Sequence, residues 1–181
     1  KKVSTLRHNS MQIITKDGQV IYHKPLFGIN ESCLLQPKLM ETIRWEHDEL
    51  YMFGKKIVTK RKVAWYGDKP YQYTYSKSTK TALLWNDVLQ TIKSRIEEYS
   101  NTTYNSCLLN LYHDGSEGMG WHSDDEPELL DNGTIASVSF GADRKFVFKH
   151  KTSKEKVELI LESGSLLLMT GECQKHWLHR L

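Results

Sequence analysis

The chain places His122-Ser123-Asp124 on one short segment and a further histidine, His179, far downstream. Side chains two positions apart on an extended segment stand on the same side, so an H-x-D triplet presents an imidazole and a carboxylate together. A second imidazole from a remote strand can join them only if the intervening sheet curls back on itself, as in a barrel or jelly roll. Two histidines and one carboxylate are also the protein ligands of the facial triad that holds non-haem iron(II), leaving the opposite face of an octahedral metal open. One pattern thus constrains fold and chemistry together. H-x-D is common by chance, and the surrounding sequence has to carry the rest of the argument.

The texture of that sequence changes at Tyr104. Upstream, residues 1–10 are polar and read as a tail. Met11 to Thr15 and Val20 to Tyr22 are β-rich runs around Lys16-Asp17-Gly18, where Asp-Gly signals a turn. Ser32 can cap a helix to about Arg44, with Leu34, Leu35, Leu39 and Ile43 as its apolar stripe. A second helix is expected from Ala82 to Tyr99 on the spacing of Leu84, Val88, Ile92 and Ile96. Downstream, Ser106 to Tyr112, Ile135 to Phe140, Lys145 to Lys149, Val157 to Leu161 and Ser165 to Met169 are short β runs, separated by turns at Gly141-Ala142-Asp143 and Glu162-Ser163-Gly164. Helices followed by six to eight short strands predict an α+β, mainly β fold: a double-stranded β-helix (jelly roll) with N-terminal supporting helices. Residues 11–181 would form a single domain, with lid and helices in 11–103 and the jelly-roll core in 104–181.

At 181 residues the chain is long enough for one substantial core. No apolar run approaches the roughly 20 residues that cross a bilayer, and neither end resembles a signal peptide, so no membrane partner is expected. Three cysteines, Cys33, Cys107 and Cys173, are odd in number and far apart, which disfavours a disulfide framework or a cysteine zinc site and suits an intracellular protein. The net charge is only +3, but it is unevenly spread. Lys55, Lys56, Lys60, Arg61 and Lys62 form one basic cluster, and Lys149, Lys151, Lys154 and Lys156 another. Such runs are ordinarily solvated faces; two of them flanking a candidate active site favour phosphate contact.

Three ordered blocks surround the triad: Asn110-Leu111-Tyr112-His113-Asp114-Gly115, Gly120 to Leu129, and Ile135 to Gly141. With Ala64 to Asp68 and Tyr73 to Ser76 upstream, and Gly164 to Met169 and His176 to Arg180 downstream, they resemble the AlkB family. The likeness runs from about Phe27 to the last residue. This is a family of iron(II)/2-oxoglutarate dioxygenases that demethylate alkylated nucleic acid bases, and the sequence looks most like the animal-type DNA repair homologues acting on 1-methyladenine and 3-methylcytosine.

The resemblance implies His122, Asp124 and His179 as catalytic iron ligands, and Asn110 and Tyr112 as hydrogen-bond donors to 2-oxoglutarate. Iron(II), 2-oxoglutarate and O2 would be the cofactors, with ascorbate supportive. A base must leave the duplex to reach such a site. Tyr75 would stack on it, Tyr73 would bond a pocket carboxylate, and Asp125 and Glu126 would favour cationic methylated bases. Alone, Asp125-Glu126 reads as a turn before Pro127. Phe53, ahead of Gly54-Lys55-Lys56, stands where duplex-acting relatives insert an apolar wedge, and could equally be a core residue at a strand start. Arg61 is a further candidate substrate contact.

The family's R-x-N-x-T-F-R-like motif, whose arginines grip 2-oxoglutarate, is not reached before Leu181. The C-terminal strand or strands of the fold therefore read as missing, and weak co-substrate binding is expected of the chain as given. Arg180 is no substitute, since a residue next to ligand His179 points to the other face of a regular strand. The partner would be DNA, double- or single-stranded, with RNA a further candidate, bound by a monomer in the nucleus or, in a bacterium, the cytoplasm. Two other readings use the same triad or fold: an iron/2-oxoglutarate hydroxylase of a protein or small molecule, and a catalytically impaired nucleic-acid-binding module.

Overall fold

A computed structural model describes residues 9–75 and 78–181, without the side chain of Tyr75. Most of the expected polar tail thus lies outside the described residues. The chain divides into two compact units, one made of the residues up to Gln36 with Met119–Leu181, the other of Pro37–Gly118. Proximity in sequence does not decide membership, because the N-terminal hairpin is built into the sheet of the C-terminal strands.

That hairpin is β1 (Ser10–Ile14) and β2 (Gln19–His23), turning at Asp17 and Gly18 with φ of 53° and 120°, as the Asp-Gly signal predicts. The turn has to be glycine: a Cβ on Gly18 would sit 2.5 Å from the Cys173 backbone. β2 pairs with β12 (Leu166–Thr170), which pairs with β9 (Ile135–Val138), in the order β1-β2-β12-β9. A second sheet has the order β11-β10-β13, formed by β10 (Arg144–His150), β11 (Lys156–Leu161) and β13 (Trp177–Arg180). The one-turn helix α3 (Cys173–His176) leads into β13. Ile14, Val20, Tyr22, Leu167 and Met169 from the first sheet meet Phe146, Phe148, Leu161 and Trp177 from the second in one buried cluster. Two antiparallel sheets sharing a core is the expected jelly-roll arrangement.

The helix α1 runs over Ile29–Thr42 and starts three residues before Ser32. Ser32 does not cap it. Its hydroxyl donates to the Phe27 carbonyl, while Glu31 accepts from the Gly28 N–H, so the glutamate half of a capping box sets the start.

In the other unit, β3 (Glu46–Met52) and β4 (Lys55–Gly67) make a long hairpin that sequence reading did not resolve. The far end of β4 pairs with β8 (Ser106–Leu111) and, in parallel, with β7 (Leu83–Leu84). β5 (Gln72–Tyr75) and β6 (Ser78–Thr81) form a separate hairpin. The second helix, α2, covers Asp87–Ser100 and begins later than Ala82. Asn86 caps it by accepting from the Leu89 N–H at 2.9 Å, and the apolar residues before the cap go to β7 instead.

Candidate metal centre

His122 and His179 face each other across an antiparallel bridge and exchange both backbone hydrogen bonds, at 3.1 and 2.8 Å. Such a pair keeps its side chains on one face of the sheet. Their rings lie 4.2 Å apart between centroids. Only His122 of the H-x-D triplet is in a strand-like pairing; Asp124 follows in irregular chain. The carboxylate still reaches both imidazoles, with Oδ1 3.7 Å from His122 Nε2 and Oδ2 3.4 Å from His179 Nε2. All three ligand atoms fall within 4.8 Å of one another. Adjacent ligands of an octahedral ion at about 2.1 Å are about 3 Å apart, so small side-chain rotations close the triad on a metal.

The supporting contacts leave the right atoms available. His122 Nδ1 is 2.8 Å from the Gly120 carbonyl. A carbonyl only accepts, so Nδ1 carries the proton and Nε2 keeps its lone pair for a metal. His179 is 4% exposed and lies flat against Phe146, with centroids 5.4 Å apart and planes 19° apart. Asp124 is positioned from its backbone, whose N–H donates to Gln174 Oε1 at 2.9 Å. The Ser123 hydroxyl ties the same turn to the Trp177 carbonyl at 2.8 Å. Burial opposes ionisation of Asp124, but the His179 hydrogen bond and the charge of both imidazoles outweigh it and hold its carboxyl below the ordinary range. A bound metal displaces any proton that the imidazoles share with this carboxylate, and one carboxylate with two imidazoles is the donor set iron(II) takes.

A second cluster, Asp17, His150 and His176, also brings its ligand atoms within 4.8 Å. Its hydrogen bonds point elsewhere. His150 Nδ1 accepts from the N–H groups of Thr152 and Ser153, so its proton is on Nε2 and is donated to Asp17 at 2.8 Å. Both ring nitrogens are used, and the histidine fastens the β1–β2 turn to the end of β10.

Arg180 behaves as strand alternation predicts. It lies over the Trp121 ring at 4.6 Å, with Lys149 over the same ring at 4.3 Å, away from the face of buried His179. Burial pushes the Cys173 thiol up to about 12, leaving it a neutral core residue. The acidic pair beyond the triad, Asp125 and Glu126, is exposed and opens a turn closed by the Leu129 N–H on the Glu126 carbonyl at 3.0 Å.

The remaining candidates belong to the other unit. Asn110 is on β8 opposite Val63, and Tyr112 follows directly after the strand, so period-two alternation gives them a common side. The Asn110 Oδ1 accepts a hydrogen bond from Arg61, whose other terminal nitrogen donates to Asp48 Oδ2 at 2.6 Å. Arg61 is 8% exposed. Asp48 was not legible as a site residue: nothing in its local sequence marks a buried carboxylate. Tyr73 is half-buried on β5; the side chain of Tyr75, the expected stacking ring, lies outside the described residues. Phe53 is not in a core. It sits at the tip of the β3–β4 hairpin, 99% exposed. Gln174, Ser123 and Trp121 also escaped sequence reading, because their roles depend on chain pairing rather than on spacing.

Residues 21–181 match the 2OG-Fe(II) oxygenase superfamily. The chain is 43% identical over 167 residues to the DNA oxidative demethylase ALKBH2 of Mus musculus, covering 86% of this chain and 70% of that protein. It is 37% identical to its Homo sapiens counterpart, covering 95% and 70%. Against the alpha-ketoglutarate-dependent dioxygenase alkB homolog 3 of Homo sapiens the identity is 44%, over 91% of this chain and 60% of that protein. The solved structure of OsALKBH1 matches with a TM-score of 0.64 at 17% identity, covering 94% of this chain and 86% of that one, a likeness of fold alone. A superfamily match over most of the chain and a fitting donor set make this an iron(II)/2-oxoglutarate-dependent dioxygenase. With two demethylases matched across more than two thirds of their length, the chain belongs to the AlkB family.

Proposed function

We propose that this protein oxidatively demethylates N-alkylated bases in DNA, with 1-methyladenine and 3-methylcytosine as its substrates. The observation that carries the reading is the convergence of His122 Nε2, Asp124 and His179 Nε2, each oriented by its own backbone or ring contact. The relatives named as DNA oxidative demethylases supply the substrate class. When iron(II), 2-oxoglutarate and O2 are bound, such a centre oxidises an N-methyl carbon to hydroxymethyl, which departs as formaldehyde, while 2-oxoglutarate loses carbon dioxide and becomes succinate.

The chain's own residues have four tasks in that reaction. His122, Asp124 and His179 hold the metal. Asn110 and Tyr112 hold the co-substrate, and the Asn110 amide suits this: its oxygen is taken by Arg61, so N–H donors remain for an acceptor-only ligand. Tyr73, Tyr75, Asp125 and Glu126 select the base, the carboxylates favouring a lesion that carries positive charge. Phe53 fills the gap in the stack when a base leaves a duplex. An exposed aromatic on a tip followed by Lys55 and Lys56 has the character such a wedge needs. The protein acts as a monomer inside the cell.

The test is mass spectrometry of 1-methyladenine and 3-methylcytosine oligonucleotides, as duplex DNA, single-stranded DNA and RNA, after incubation with iron(II), 2-oxoglutarate and ascorbate. Loss of 14 mass units per lesion is expected from DNA, and none with His122→Ala or Asp124→Ala, both of which should remain folded by circular dichroism. Undiminished turnover in either variant would remove the metal assignment. Succinate formation driven by a peptide or small molecule, with no change in any oligonucleotide, would favour the hydroxylase reading instead.

A further inference from the structure

We infer that Arg61 is a positioning residue for the co-substrate: it fixes the Asn110 amide so that only the N–H end is offered to 2-oxoglutarate. This rests on the proposed role of Asn110. The two ends of an asparagine amide differ little in shape, and their orientation is set by what they bond. Here the chemistry leaves no choice. A guanidinium only donates, so the Asn110 atom that meets Arg61 Nη1 is the oxygen. The Asn110 Nδ2 has no partner among the described residues.

Arg61 is itself held. Its Nη2 donates to Asp48 Oδ2 at 2.6 Å, and Asp48 Oδ1 accepts from Lys80 Nζ at 2.7 Å and from the Glu49 N–H at 3.0 Å. Both Arg61 and Asp48 are buried. The guanidinium is therefore clamped in its plane between a carboxylate and an amide, a task suited to a rigid fork with separated donors. β4 and β8 pair at Lys62–Leu111 and Val63–Asn110, which keeps the two side chains on adjacent strands. A buried arginine with these two acceptors is poorly placed to serve a DNA phosphate, the role its basic neighbours suggest from sequence. Without the clamp the amide could turn its oxygen towards the carboxylate or keto oxygen of 2-oxoglutarate, where two acceptors repel.

Two substitutions in the whole protein test this. Arg61→Lys keeps a cation for Asp48 but cannot bridge to Asn110. Asn110→Asp still accepts from Arg61 and removes every N–H from that side chain. Calorimetry of 2-oxoglutarate binding to the manganese(II)-loaded protein, without oxygen or nucleic acid, should show affinity lowered about tenfold by Arg61→Lys, the size typical of lost ligand-orienting contacts. Asn110→Asp should lower it at least as far. KM for 2-oxoglutarate should rise in Arg61→Lys, while KM for the methylated oligonucleotide and its salt dependence stay unchanged. Unaltered 2-oxoglutarate affinity in Arg61→Lys overturns the inference, as does a rise confined to the oligonucleotide KM with a shallower salt dependence, which would mark a phosphate contact. If Arg61→Lys does not fold, Asn110→Asp decides alone: wild-type affinity there overturns it. Because binding is read without nucleic acid, an oligonucleotide left methylated would count against the demethylase reading and not against this one.

Discussion

Each proposed metal ligand depends on a contact that is not itself a ligand. His122 is oriented by the Gly120 carbonyl, His179 by the Phe146 ring, and Asp124 by Gln174 through the backbone. Of these, Gln174 is the one whose removal should separate metal binding from folding. It is half-buried, and among the described residues its other amide end bonds only the Met169 sulfur, at 3.4 Å. Gln174→Ala should weaken iron(II) affinity about 10–100-fold, the range seen when ligand-orienting partners are lost, with little change in melting temperature. Titration of the metal-free protein with iron(II) under nitrogen checks it, and unchanged affinity would show that the turn after His122 holds Asp124 unaided. At this scale the sequence was legible where chemistry imposes spacing. The spacing of His122 and Asp124 singles out the candidate triad, although Asp124 lies in irregular chain and not on the strand that alternation assumes. Gln174 could not, since nothing local to an α3 glutamine says that a backbone N–H fifty residues earlier needs an acceptor.

Among the elements, the β3–β4 hairpin has a sequence that works against its own geometry. Two-residue hairpin loops with positive φ at both positions prefer Asn-Gly or Asp-Gly. This one uses Phe53-Gly54, with φ of 51° and 74°, and the missing turn signature is why the hairpin was not resolved from sequence. The left-handed conformation costs a residue with a Cβ about 1–2 kcal/mol, and Phe53 buries nothing in return. Strain retained at an exposed aromatic is what the proposed wedge role of Phe53 would call for. Phe53→Asn should therefore stabilise the hairpin by about 1 kcal/mol, seen as slower hydrogen exchange at its ladder amides, and yet lower activity on duplex substrate far more than on single strands. Equal losses on both strands would deny the wedge role, and faster exchange would deny the strain. The element errors elsewhere have the same origin in local competition. Leu83 and Leu84 fit a helix stripe as well as a strand, and the Asn86 cap decides between them.

For the molecule as a whole, the jelly roll was legible from its short alternating runs, but its membership was not. β2 enters the sheet because Val20 to Tyr22 register against Leu167 to Met169, a pairing between segments at opposite ends of the chain that local patterns do not encode. The same blindness covers the buried charges, which govern how stability responds to pH. Burial penalises the Asp48 carboxylate, but the Lys80 and Arg61 hydrogen bonds and charges outweigh that and depress its pKa. A depressed carboxyl stabilises the fold fully above its unfolded value of about 3.9, and that contribution fades as pH falls through the lower folded value. Replacing Asp48 also leaves the Arg61 guanidinium, 8% exposed, without its charge partner; breaking such a buried pair costs about 3–5 kcal/mol. Lys80 is half exposed and adds little to that figure. Asp48→Asn should therefore be destabilised by about 3 kcal/mol at pH 7. The gap from wild type should start to narrow below about pH 4, where the unfolded carboxylate protonates while the native one stays ionised, and close further as pH falls through the lower folded value. Urea unfolding at pH 7, 5 and 3.5 measures the gap directly. A difference that stays constant across that range would mean the cost comes from lost packing around β3 and β4 rather than from the charge of Asp48.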